Sequence, residues 1–213
     1  MEPLYDNIKD IVDDLYDNVI KEIDNINEEY AFLGYSMGGI VSYELYKKLR
    51  ANKKQLPVYM FAFASSEPEF EYKKDDYENY SLEQLKERLL ELGGTSKEVA
   101  ENDELMQLMS EVIRNDLIAL RDYKVEQSAV DKIDCPMLII RGTEEDNKEG
   151  CQLGWQKYCN NIFEYKEIEG KHFFLFDGRK DIVETVKNII INELSIWFIR
   201  LNFWLNLLFE VKY

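Results

Sequence analysis

Gly34-Tyr35-Ser36-Met37-Gly38-Gly39 joins two segments of different periodicity. Before it, Tyr30-Ala31-Phe32-Leu33 is an unbroken apolar run suited to a buried strand; after it, Ile40 to Leu49 carries apolar residues at helical spacing. The pattern predicts a strand, a tight turn and a helix. A serine in such a turn is lifted above the sheet edge by strained backbone. Gly34 and Gly38, on either side, are expected because a Cβ there would collide with the neighbouring strand and helix. The Ser36 oxygen would be exposed as a nucleophile. The N–H of Met37, at the helix start, would face the anion formed when Ser36 attacks a carbonyl, aided by the positive end of the helix dipole.

Working outward, Ile8, Ile11, Val12, Leu15, Val19, Ile23 and Ile26 recur at steps of three and four, which predicts an amphipathic helix over Tyr5 to Ile26 packed on a sheet. Leu56 to Phe63 reads as a second buried strand, parallel to the first because a helix joins them. With right-handed crossovers this predicts a doubly wound α/β sheet. The acidic and aromatic stretch Glu67 to Tyr80 breaks the alternation and reads as the solvated entry to an inserted helical lid over about 67–128. Within it, Ser81-x-x-Gln84 is a capping-box pattern, Gly93-Gly94 ends one helix and Asp103 is placed to cap the next. The Met-rich face Leu105, Met106, Leu108, Met109, Val112, Ile113, Leu117 and Leu120 reads as core. Strands follow at Pro136 to Ile140 and Ile162 to Ile168. A helical stretch near Cys151 to Tyr158 lies between them, and a closing helix runs from Arg179 to Leu194.

At 213 residues and 46% hydrophobic content the chain can bury one sizeable core. Its net charge of −16 argues against nucleic acid or an anionic membrane surface as a partner. Cys135, Cys151 and Cys159 show no C-x-x-C spacing; an odd count with no signal-peptide pattern at Met1 to Asp6 reads as reduced thiols in a cytoplasmic protein. The pattern calls for no metal and no cofactor.

An attacking serine needs a base, and His172 is the single histidine of the chain. It follows a predicted strand and a glycine, where a serine hydrolase of this topology presents its imidazole. A third member would fix the tautomer and stabilise the charged ring. It is expected past the strand ending at Ile140, where Glu144, Glu145 and Asp146 are the candidates. The order serine, acid, histidine matches the α/β-hydrolase arrangement.

At this point the chain resembles the type II thioesterases, discrete α/β-hydrolases that accompany nonribosomal peptide and polyketide synthetases. The resemblance rests on Gly34 to Gly39, Leu89-Leu90-Glu91-Leu92-Gly93-Gly94-Thr95, Asp103-Glu104-Leu105-Met106, Arg114-Asn115-Asp116, Cys135-Pro136, Arg141 to Glu145, Trp155 and Gly170 to Leu175. It implies hydrolysis of acyl groups from the phosphopantetheine arm of an acyl or peptidyl carrier protein, with Ser36 as nucleophile and His172 as base and then acid. Counting from Gly142 or back from Trp155 places Glu145 at the family's acid position, whereas counting back from His172 places Asp146 there. Tyr35 stands where the family usually has histidine. Alternatives in function are a small-molecule carboxylesterase and a catalytically impaired remnant.

The resemblance also sets expectations for the ends. The family opens with a strand and a turn that donates a second hydrogen bond to the oxyanion, and neither appears before the first helix here. The expected domain therefore spans 1–194 without the amino-terminal strands and with weakened activity. Residues 195–213 form an apolar extension, broken by Arg200, Asn202 and Asn206, which is too short and interrupted to read as a membrane span.

Overall fold

The computed structural model describes residues 4–26, 28–72, 74–93, 97–125, 132–145, 152–175 and 179–193. Asp146 and the extension 195–213 lie outside them. The described residues fall into two units that divide at Arg179.

In the first unit, α1 (Ile8–Ile26) starts three residues later than its periodicity predicts, because the Asn7 side chain accepts from the Asp10 N–H at 2.8 Å and caps the helix there. It leads to β1 (Ala31–Tyr35), α2 (Met37–Ala51) and β2 (Tyr59–Phe63). An insertion follows with α3 (Leu82–Leu92), α4 (Lys97–Ala100) and α5 (Asp103–Asp122). The chain then returns through β3 (Met137–Gly142), a 3-10 turn at Leu153–Tyr158 and β4 (Phe163–Ile168).

Among the described residues four strands lie parallel in the order β1-β2-β3-β4, with Tyr35 opposite Phe63, Phe63 opposite Ile140 and Ile140 opposite Lys166. β2 and β3 are buried along their whole length, which is why Tyr59–Phe63 and Met137–Ile140 read as unbroken apolar runs. α2 turns Ile40, Tyr43, Tyr46 and Leu49 into the core, together with Ile8, Val12 and Ile23 of α1 and Met60, Met137 and Ile139 of the sheet. Each such fully buried apolar side chain contributes about 1.5–3 kcal/mol.

The insertion departs from its sequence pattern in three places. Asn102, not Asp103, caps α5: its side chain accepts from the Leu105 N–H at 3.1 Å, and Asp103 falls in the first turn. The acidic stretch is more than solvated charge, since Tyr77 is buried and Arg114 and Arg121 hold the carbonyls of Tyr77 and Asp75 at 2.5 and 2.9 Å. The apolar face of α5 is only partly core: Met106 and Ala119 are buried, whereas Leu108, Met109 and Val112 are 71, 41 and 46% exposed. The Ser81–Gln84 capping box is present, and Gly93 caps α3 at the other end. The stretch after Cys151 forms a 3-10 turn rather than an α-helix.

In the second unit the closing helix α6 (Arg179–Glu193) carries Ile182, Val186, Ile189 and Ile190 on one face, at positions i, i+4, i+7 and i+8. No helix among the described residues is long and apolar enough to cross a membrane.

Candidate active site

Ser36 is the single residue between β1 and α2, with φ 53° and ψ −120°. This left-handed conformation strains a side chain bearing a Cβ, at a cost of order 1–3 kcal/mol. It is held by the Ser36 N–H donating to the Phe63 carbonyl at the end of β2 (2.8 Å) and by the Gly39 N–H donating back to the Ser36 carbonyl (3.0 Å). Although Ser36 stands at the cap position of α2, its hydroxyl makes no capping hydrogen bond.

The glycines of the turn divide differently from the expectation. A Cβ on Gly34 would lie 2.2 Å from the Gly38 carbonyl oxygen, so the strand crosses the helix start with no room for a side chain. A Cβ on Gly38 would meet nothing within 4 Å, whereas one on Gly39 would lie 2.2 Å from the Ser65 oxygen. Gly39, not Gly38, is therefore the second sterically required glycine. The reason is that helical rotation points position 39 at the Ser65 side chain and position 38 into open space.

His172 lies in the turn that follows β4. Its Nε2 is 2.9 Å from the Ser36 oxygen and its Nδ1 is 2.7 Å from Glu145 Oε1. The His172 side chain is 13% exposed and that of Glu145 only 1%. Glu145 sits three residues past β3, where its other oxygen accepts from the Gly142 N–H (3.2 Å) and its carbonyl accepts from the Arg141 guanidinium (3.2 Å). The acid and histidine turns are laced together by Thr143 N–H to the Ile168 carbonyl (2.8 Å) and Glu144 N–H to the Gly170 carbonyl (2.9 Å). Gly142 makes this close approach feasible, since a Cβ there would lie 2.5 Å from the carbonyls of Gly170 and Lys171. Glu144 is exposed.

The arrangement fixes a proton order. An ionised carboxylate only accepts, so Nδ1 carries the hydrogen facing Glu145 and Nε2 is left to accept from the Ser36 hydroxyl. Met37 opens α2, and its N–H belongs to the first turn, whose amides have no acceptor within the helix. Among the described residues no group of side chains could hold a metal ion. A polar cleft of about 800 Å³ between residues 74–79 and the end of α5 includes none of these side chains. Its Arg121 is already paired with Glu78 and Asp122.

One neighbour was not anticipated: the Tyr35 hydroxyl donates to the backbone carbonyl of His172, 137 residues away. Its place beside Ser36 was the available signal, but nothing in the spacing says where its ring points.

A family model described as the thioesterase domain matches residues 2–190. The chain belongs to this family. It is 28% identical over 160 residues to the gramicidin S biosynthesis protein GrsT of Aneurinibacillus migulanus, spanning 75% of this chain and 62% of that protein. It is 27% identical over 199 residues to the medium-chain S-acyl fatty acid synthase thioesterase of Homo sapiens, spanning 92% of this chain and 72% of that one. Among solved structures it is similar to ClbQ from the colibactin NRPS/PKS pathway, with a TM-score of 0.79, 25% identity, and coverage of 89% of this chain and 79% of that one. The thioesterase-family chain thus has the α/β-hydrolase fold read from its strand, turn and helix, with a parallel sheet and an insertion after β2.

Proposed function

We propose that the chain is a serine thioesterase that releases acyl groups from the phosphopantetheine arms of carrier proteins serving nonribosomal peptide or polyketide synthetases. The observation that carries the reading is the hydrogen-bonded series Ser36, His172, Glu145, at 2.9 and 2.7 Å, in a chain of the thioesterase family. Ser36 attacks the thioester carbonyl while Nε2 of His172 takes its proton. The Met37 N–H donates to the resulting oxyanion. The tetrahedral intermediate collapses to acyl-Ser36, and the departing pantetheine sulfur takes the proton back from His172. Water then enters, gives its proton to His172, and releases the carboxylic acid from Ser36 as the serine proton is restored. Glu145 stabilises the imidazolium formed in each half. The chemistry calls for no metal or cofactor, and reduced thiols fit a cytoplasmic setting.

The insertion acts as the lid. In support, a Cβ on Gly93 would lie 3.2 Å from Cβ of Lys171, so the end of α3 rests on the residue next to His172. The test is turnover of an acylated phosphopantetheinyl carrier protein beside a soluble aryl ester, each with the Ser36→Ala variant as control. Carrier-linked thioester hydrolysed far faster, and lost in Ser36→Ala, is the expected result. Preference for the aryl ester would make the protein a small-molecule esterase, and activity surviving Ser36→Ala would overturn the serine mechanism.

A further inference from the structure

We infer that Tyr35 is a positioning residue for the base: its hydroxyl clamps the turn that carries His172 onto the strand that carries Ser36. The inference rests on the roles proposed above for Ser36 and His172. Tyr35 is the last residue of β1, one bond before the nucleophile, and its hydroxyl donates to the carbonyl of His172. The hydroxyl therefore holds the first carbonyl of the 172–175 turn, whose neighbouring link is Phe174 N–H to the Lys171 carbonyl at 3.0 Å. The ring is held as firmly. It meets the His172 imidazole edge-on at 6.0 Å, stacks with Phe173 at 5.9 Å and packs against the fully buried Phe174 at 5.7 Å.

This contact does something the two imidazole hydrogen bonds cannot. Those bonds orient the ring about its χ angles, whereas a bond to the His172 carbonyl fixes the backbone from which the ring hangs. A shift of about 1 Å in such a group is enough to lower turnover roughly 100-fold. Burial pushes the Tyr35 phenol well above its ordinary range, so it remains a neutral donor wherever the imidazole can act as a base.

Tyr35→Phe keeps the ring and removes the clamp. Because the chain has one histidine, its imidazole signals in a proton–nitrogen spectrum belong to His172 without further assignment. The expected result for Tyr35→Phe is about 10-fold or faster solvent exchange of the His172 ring N–H. Fluorophosphonate labelling of Ser36 should slow about 10- to 100-fold, with a melting temperature close to the parent's. Ile23→Val, which thins the core of α1 far from the turn, should lower the melting temperature and leave labelling unchanged. Unchanged exchange and labelling in Tyr35→Phe overturn the clamp. If the parent protein is not labelled at Ser36 while Tyr35→Phe still alters His172 exchange, the clamp stands and the serine mechanism falls.

Discussion

Nδ1 of His172 lies 2.7 Å from a Glu145 carboxylate that is itself fastened, through its second oxygen, to the N–H of Gly142 at the end of the strand it follows. The acid thus reaches the histidine from a fixed base rather than from a free loop. Replacing Glu145 by Gln presents an NH₂ group to Nδ1 and forces the ring hydrogen onto Nε2, which can then no longer accept from Ser36. Turnover of Glu145→Gln is expected to fall about 10²- to 10⁴-fold, with a smaller loss for Asp146→Ala. Steady-state rates of the two variants give the order, and a larger loss at Asp146 would move the role to that residue.

His172→Ala should lower turnover by roughly three orders of magnitude or more while leaving the melt nearly unchanged, because no second histidine exists to stand in. Residual hydrolysis at the parent rate would show that the measured activity does not use an imidazole.

The three glycines of the serine turn should separate cleanly in melting experiments. Gly34→Ala drives a Cβ into backbone and is expected to lose about 2–3 kcal/mol or to prevent folding; Gly39→Ala should lose about 1–3 kcal/mol against Ser65. Gly38→Ala meets open space and should gain about 0.5–1 kcal/mol from helix propensity. Adding Ser65→Gly should recover much of the loss in Gly39→Ala, since it removes both atoms in collision. A loss at position 38 equal to that at 34 would contradict the geometry.

Burial alone pushes the Asp116 carboxyl of α5 up to about 6. Between the unfolded value near 4 and this folded value the native state binds more protons than the unfolded chain, so stability falls as pH rises through that window. Asp116→Asn should therefore stabilise the protein above pH 6, by about 1–2 kcal/mol once its partial exposure is allowed for. It should have little effect near pH 4. Melting curves at pH 4 and pH 8 check the sign, and a destabilised variant at pH 8 would mean that the carboxylate has a charged partner.

The site was largely legible because its parts announce themselves locally. Ser36 follows an apolar strand run and precedes a helical one, and His172 is a lone imidazole after a strand and a glycine. What stayed illegible depends on directions that spacing does not carry. Gly38 and Gly39 look alike until the helix phase is known. Asn102 and Asp103 are both good caps, and the backbone angle at 102 decides between them. The exposure of Leu108, Met109 and Val112 follows from where α5 lies across its neighbours, which its own apolar count cannot report. The choice between Glu145 and Asp146 is ambiguous by one residue in the sequence, because the spacing from Gly142 and the spacing back from His172 favour different positions. In the structure Glu145 faces His172, and Asp146 is outside the described residues.

Ser36 and His172 are separated by 136 positions, and β2, the whole insertion and β3 lie between them. A parallel sheet laid down in the order β1 to β4 brings Ser36 to His172 only when β4 has paired. During synthesis, then, the serine turn emerges early and waits without an imidazole beside it until the chain through His172 has left the ribosome. Reactivity at Ser36 would consequently act as a completion signal. A nascent or proteolytically shortened chain ending before His172 should show no hydrolysis that depends on Ser36, and the first such turnover would mark the closing of the sheet.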